Sequence, residues 1–197
     1  MDERCFFNDF ENVDTTGFTV PASLVTTIQA SLSSSLVYLT NPSSYAALLG
    51  LSAAACSPAD DGTVYTGTGG LALLFLRLGD LDKAGTLARE ALQTASSSKP
   101  TFLTGFPGPL ALLAVVESRR GRSVSLAPLL ALAPQAVALS SPLPDELLYG
   151  RAGYLYTLLY LRKELGQDSV PSPTVRMVVD AVVQSGRMLA QQVRQAD

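Results

Sequence analysis

The sequence predicts an all-α protein of helical hairpins arranged in an inner and an outer helix layer. Three observations support this prediction. A Gly-x-x-Gly motif followed by an apolar run occurs three times, these runs alternate with segments that are apolar on one side, and period-2 alternation is sustained nowhere.

The three motifs define a repeat. Their segments are YTGTGGLALLFLRL from residue 65, LTGFPGPLALLAVV from 103 and YGRAGYLYTLLYL from 149, with the glycine pairs Gly67/Gly70, Gly105/Gly108 and Gly150/Gly153. The first glycines lie 38 residues apart (67 to 105) and then 45 apart (105 to 150), spacings typical of helical-hairpin repeats. Glycine permits a tight turn, and a run that is apolar on nearly all sides predicts an inner helix buried all round.

The segments between these runs predict outer helices. In DLDKAGTLAREALQTA, the residues that share one helical face are Ala84, Ala88, Ala91, Leu92 and Ala95. In the segment from residue 172, Ser172 is expected to cap a helix and Pro173 to occupy its first turn. The apolar stripe of that helix is predicted to contain Val175, Val178, Val179, Val182 and Leu189.

Composition excludes several kinds of function. The net charge of −3 gives no basic face for nucleic acid, so no nucleic-acid partner is expected. No histidine is present among the 197 residues, which excludes Ser-His-Asp and Cys-His catalysis and histidine-based metal sites. Cys5 and Cys56 are too few for a disulfide scaffold and are interpreted as reduced thiols of a cytosolic protein.

No membrane span or secretory signal is expected. Residues 15–59 and 123–144 carry no charge, but prolines interrupt the second stretch, and Ser, Thr and Ala dominate the first. Both are interpreted as buried or semi-buried segments of a soluble protein. The start of the chain, MDER, lacks the basic and apolar regions of a signal peptide.

The candidate site is the end of the molecule where the three turns meet. Neither a dinucleotide fingerprint nor a phosphate-binding loop is present. Three helix N-termini at one end would favour an anionic ligand. The polar residues expected there are Tyr65, Thr66, Thr104, Glu146, Tyr149 and Arg151. Arg151 is expected either to bind a ligand carboxylate or to pair with Asp145 or Glu146, and these adjacent carboxylates do not suit a paired acid/base mechanism.

Three segments resemble the amino-terminal half of eukaryotic lanthionine synthetase C-like (LanC-like) proteins. They are DGTVYTGTGGLALLFLRL, TFLTGFPGPLALLAVV and PDELLYGRAGYLYTLLYLRKELG, and the opening MDERCFFNDF is also similar. The resemblance implies an incomplete α/α toroid. Residues 1–59 would form an amino-terminal arm and first helices, and residues 60–197 three Gly-x-x-Gly helical-hairpin repeats.

The resemblance also implies a function. Members of the family bind glutathione and add its thiol to dehydroalanine or dehydrobutyrine in proteins, with a zinc ion held by two cysteines and a histidine. Those ligands lie in the carboxy-terminal half of the family. This chain is therefore expected to hold no zinc, to contain no catalytic or metal-binding residue and to be non-catalytic alone, with glutathione or a peptide as its partner.

Individual positions match the family motifs. Arg4 matches an arginine associated with glutathione contact, Glu146 an acidic position of the toroid mouth, and Tyr149 to Arg151 a Leu-Tyr-Gly-Arg block. Tyr65 belongs to the first turn. The residues expected to bind substrate are therefore Arg4, Tyr65, Glu146, Tyr149 and Arg151. The chain departs from the family at four positions, where relatives commonly carry Trp, Cys, Asp and Ala: Thr68, Thr104, Phe106 and Pro107.

Three interpretations of function remain open. In the first, the chain is part of a thioether-forming enzyme whose activity lies in the carboxy-terminal half of the family. In the second, it is a non-catalytic module that binds glutathione or a partner, or that signals. In the third, it is an inert truncated isoform. A cytoplasmic location is expected, with a peripheral position at the plasma membrane as an alternative. The inner-helix flank of an open ring is expected to be exposed, which predicts self-association through that flank.

Overall fold

A computed structural model describes residues 19–40 and 61–196, which fall into two compact units, Met1–Asn41 and Pro42–Asp197. Each unit is described by itself. Arg4, Cys5 and Cys56 lie outside the described residues, as does the predicted boundary between residues 59 and 60.

The described part of the first unit contains helix α1, Ala22–Thr40. The burial predicted for this charge-free stretch is wrong for α1, because all of its described side chains are exposed. Its hydroxyl groups are satisfied locally. Thr26 Oγ1 donates to the Ala22 carbonyl at 3.0 Å, and Ser33 Oγ donates to the Gln29 carbonyl at 2.9 Å. Thr27 and Ser35 bond in the same way, so these four hydroxyl groups are satisfied within the helix itself.

The second unit is helical throughout its described residues, which confirms the all-α prediction for the described part of the chain. Its elements are α2 Thr68–Leu78, α3 Leu81–Thr94, α4 Pro107–Arg119, α5 Ala127–Leu130, α6 Ala133–Val137, α7 Arg151–Leu165, a 3₁₀ turn Gln167–Ser169 and α8 Ser172–Ala196.

These helices form two layers. The three helices that start at the glycine motifs pack side by side, with α4 between α2 and α7. Helix α3 packs against both α2 and α4, and α8 packs against α6 and α7. An inner row of α2, α4 and α7 is therefore flanked by α3 and α8, as expected for an incomplete α/α toroid.

Burial differs along the inner row. Every residue of α4 from Pro107 to Glu117 is buried, as predicted. The prediction is wrong for α2 and α7, because Leu78, Tyr156 and Leu159 are 53 %, 45 % and 48 % exposed. The physical reason is position in the inner row. Among the described helices, α4 has an inner helix on each side, whereas α2 and α7 each have an inner helix on one side.

The outer helices α3 and α8 bury a smaller part of their surface than the inner helix α4 does. In α3 the Asp80 carboxylate caps the helix by accepting the Lys83 N–H at 3.0 Å, and small residues such as Ala84 and Ala88 are buried. In α8, Val178 is buried but the predicted stripe residues Val179 and Leu189 are exposed.

The start of α8 differs from its predicted form. Ser172 is the first residue of the helix rather than the cap before it, and its hydroxyl accepts a hydrogen bond from Arg162 at 3.2 Å. The side chain predicted as a local cap therefore links α8 to α7.

Arginine–glutamate clusters join the helices at the end opposite the glycine turns. Glu117 of α4 accepts hydrogen bonds from Arg89, Arg120 and Arg122. The Arg122 hydrogen bond, together with the charges of the arginines, lowers the pKa of Glu117 despite its desolvation. Glu164 of α7 pairs in the same way with arginines of α2 and α4.

Candidate functional site

The three glycine turns share one backbone geometry. Around each first glycine the chain folds back on the carbonyl of the residue six positions earlier. A Cβ atom on Gly67, Gly105 or Gly150 would lie 1.9, 1.9 or 2.1 Å from the carbonyl oxygens of Asp61, Lys99 and Pro144, respectively. Real Cβ atoms essentially never approach another heavy atom within 3.0 Å, so only glycine fits these positions.

The second glycines repeat the same offset. A Cβ on Gly70, Gly108 or Gly153 would lie 2.7, 1.9 or 2.2 Å from the carbonyl oxygens of Val64, Phe102 and Leu147. The Gly-x-x-Gly spacing thus lets one turn of inner helix lie directly on the backbone of the preceding loop. The geometry recurs in all three turns although their other residues differ.

Backbone hydrogen bonds join the turns side by side. The N–H groups of Val64 and Tyr65 in the first turn both donate to the Leu103 carbonyl of the second turn at 3.0 Å. The Phe102 N–H of the second turn donates to the Gly153 carbonyl of the third at 3.3 Å. The three loops consequently form one continuous surface, here called the turn face: residues 61–67, 99–105 and 144–150.

Buried threonines strengthen the second junction. The hydroxyls of Thr101 and Thr104 donate to the Leu148 carbonyl at 2.8 and 2.7 Å. Both threonines are buried, so these hydroxyls are committed to holding the second and third turns together. Thr104, which was expected among the polar residues of the mouth, has this structural contact.

The acidic residues of the turn face hold their own loops. The Asp61 carboxylate accepts the Thr63 N–H at 2.8 Å and the Thr66 hydroxyl at 2.6 Å. Partial burial acts to raise the pKa of Asp61, but these hydrogen bonds and the charge of Lys99 together lower it. Glu146 accepts the N–H groups of Leu148 and Tyr149 at 2.6 and 2.5 Å, so its oxygens stabilise the third turn.

Arg151 lies beneath the turn face, where it is 2 % exposed. Of the two possibilities left open for this residue, the structure contains the ion pair, with Nη1 3.0 Å from the Asp145 carboxylate. The remaining acceptors are backbone carbonyls of α6 and of the loop between α6 and α7: Ala136, Ala138, Ser141 and Leu143. All five N–H groups of a guanidinium are thus engaged, and a ligand would reach Arg151 only by displacing one of these bonds.

Exposed tyrosines and one lysine supply the remaining polar groups. Tyr65 and Tyr149 are 61 % and 51 % exposed. The ammonium nitrogen of Lys99 lies 5.5 Å from the centre of the Tyr149 ring. Sequence reasoning identified both tyrosines but missed Lys99. Its only signal in the sequence is its position six residues before Gly105, equivalent to Asp61 and Pro144 in the other turns.

The described residues do not fit a zinc site. Within residues 19–40 and 61–196, no group of three Cys, Asp or Glu side chains could hold a metal ion. Within the same ranges, no helix combines the length and apolar character needed to cross a bilayer.

Comparisons with known proteins point to one family. Residues 58–197 match the family described as "Lanthionine synthetase C-like protein". The chain is 39 % identical over 142 residues to "Glutathione S-transferase LANCL1" of Danio rerio, covering 66 % of this chain and 35 % of that protein. It is 31 % identical over 160 residues to "LanC-like protein GCL1" of Arabidopsis thaliana, covering 69 % of this chain and 36 % of that protein. The chain spans about a third of the length of these relatives.

Proposed function

Because the chain belongs to the lanthionine synthetase C-like family, we propose that its turn face binds glutathione. The observation that carries this proposal is the 39 % identity to a protein whose name is glutathione S-transferase. The exposed side chains of Tyr65 and Tyr149 offer hydroxyls and aromatic surface to a small peptide. We also propose that Arg4 contacts glutathione, as the family resemblance implies, although Arg4 lies outside the described residues.

We propose that this chain does not catalyse thiol addition alone. In that reaction the glutathione sulfur bonds to the β-carbon of a dehydroamino acid and the α-carbon takes a proton. A base is needed for the thiol. Burial raises the pKa of both Tyr154 and Tyr160 to about 12, and the carboxylates of Asp61 and Glu146 hold loop backbone or hydroxyl groups. None of these four groups is suited to act as that base.

Glutathione binding is tested directly by isothermal titration calorimetry on the full chain. The expected result is saturable binding of reduced glutathione, with no binding of free glycine. A parallel incubation of chain, glutathione and a dehydroalanine peptide is expected to give no thioether adduct above the protein-free rate by mass spectrometry. Enzyme-dependent adduct formation would contradict the non-catalytic proposal, and absence of glutathione binding would favour the inert-isoform alternative.

The partner-binding alternative has its own observation. Inner helix α7 exposes Tyr156 and Leu159, and α8 exposes a further apolar set that includes Leu189. Apolar side chains clustered on helix faces are typical of interaction surfaces. We propose that a second copy of the chain covers the α7 flank, and we retain a cytoplasmic location, with a peripheral plasma-membrane position as the alternative.

Self-association is measured by size-exclusion chromatography with light scattering over a range of concentrations. The wild-type chain is expected to show a mass that rises with concentration, and Leu159→Glu, which places a charge on the α7 flank, is expected to remain monomeric. Gln93→Glu, which adds the same charge at an exposed position of α3, is the control. A wild-type chain that is monomeric at every concentration would contradict the proposal.

A further inference from the structure

The polar groups of the turn face differ in whether they have hydrogen-bonding capacity left for a ligand. Arg151 has an acceptor in the protein for each of its donors. The hydroxyls of Thr101 and Thr104 are held by the Leu148 carbonyl, and the carboxylates of Asp61 and Glu146 accept from their own loops. Among the described residues, the cation left with spare donors on this face is Lys99.

Lys99 is positioned by two of the three turns. Its carbonyl packs against Gly105, which fixes the backbone of the second turn. Its ammonium nitrogen lies 5.5 Å from the centre of the Tyr149 ring in the third turn. Within residues 19–40 and 61–196, no carboxylate lies within 4.0 Å of that nitrogen.

We propose that Lys99 is the specificity residue that binds a carboxylate of glutathione at the turn face, with the Tyr149 ring positioning its ammonium group. This inference rests on the proposed glutathione binding. Glutathione carries a carboxylate at each end, and a lysine ammonium has three donors that suit such a group. The other charged side chains of the turn face are carboxylates, which repel anions, and the charge of Lys99 also acts on one of them, Asp61. Lys99 is therefore the group of this face that attracts a ligand carboxylate and selects where it settles.

The test compares glutathione with its diethyl ester, in which both carboxylates are capped. Wild type, Lys99→Gln and Lys99→Arg are titrated with each compound by calorimetry at low salt. Lys99→Gln is expected to weaken glutathione binding about fivefold, the upper range for an exposed ion pair. The same variant is expected to bind the diethyl ester as wild type does, and Lys99→Arg is expected to bind glutathione within about twofold of wild type because the positive charge is kept.

Lys83→Gln is the matched control. The ammonium of Lys83 lies 4.9 Å from the Phe75 ring centre, so it has a similar aromatic contact, but it is on α3 and pairs with Asp80 at 3.7 Å. Its substitution is expected to leave both affinities unchanged.

Two outcomes would overturn the inference while leaving the proposed function intact. Glutathione could bind Lys99→Gln as tightly as wild type, or the variant could weaken glutathione and the diethyl ester equally, which would indicate a loss unrelated to charge. Failure of the wild-type chain to bind glutathione would instead overturn the proposed function, and this inference with it.

Discussion

Replacement of Arg151 by methionine is expected to lower the free energy of unfolding by about 3 kcal/mol, the lower end of the cost of breaking a buried ion pair, because Arg151 is buried but Asp145 is 32 % exposed. The guanidinium is 2 % exposed and donates to carbonyls both of α6 and of the loop between α6 and α7. Methionine has similar length but no donor. It would leave several carbonyls and the Asp145 carboxylate without their partner, and each buried group left unsatisfied costs about 1–3 kcal/mol.

The measurement is urea denaturation followed by circular dichroism, with Arg187→Met as the matched control. Arg187 is exposed on α8, and its substitution is expected to change stability by less than about 0.5 kcal/mol. Equal midpoints for the two variants would contradict the structural role of Arg151. If Arg151→Met is too unstable to purify, Asp145→Asn, which keeps all the backbone acceptors bonded, is expected to remain folded with a smaller loss.

Gly105→Ala is expected to destabilise the chain by about 3 kcal/mol, at the upper end of the usual cost of overpacking. The added Cβ would meet the Lys99 carbonyl at 1.9 Å, and the loop between these two residues is hydrogen-bonded to the neighbouring turns through Phe102 and Leu103. The strain cannot be relieved by rotating a side chain. The loops must separate instead.

Gly186→Ala provides the opposite control. Gly186 lies within α8, and a Cβ there has nothing within 4 Å. Removing a helical glycine at such a site is expected to increase stability by about 0.5–1 kcal/mol. Thermal melting of the two variants should therefore give shifts of opposite sign. A Gly105→Ala melting temperature equal to or above that of wild type would contradict the shared geometry of the glycine turns.

The helical layers were predictable because they depend on local patterns. A recurring Gly-x-x-Gly with a following apolar run identifies α2, α4 and α7, and small residues at helical spacing identify α3. The difference in burial between α4 and its neighbours was not predictable. An apolar run has the same composition in the middle of a row as at its edge, and only the neighbours in space decide how much of it is covered.

The site was predicted less completely, for a different reason. From the sequence, Glu146 and Arg151 are expected at the ligand site because they lie at the third turn and match family motifs, with an ion pair as the alternative for Arg151. In the fold, the Glu146 carboxylate accepts backbone N–H groups and Arg151 bonds to loop carbonyls, contacts that form only once the loop has closed. Lys99 was missed because its proximity to Tyr149 spans 50 residues of sequence and comes from the stacking of two turns.

The most direct test of the glutathione-binding turn face is a titration of ¹⁵N-labelled chain with reduced glutathione, followed by amide chemical shifts. The largest changes are expected in residues 61–67, 99–105 and 144–150, with little change in α3 or at the exposed end of α8. Shifts confined to those outer helices, or the absence of saturable shifts on the three turns, would contradict the proposal that this face is the binding site.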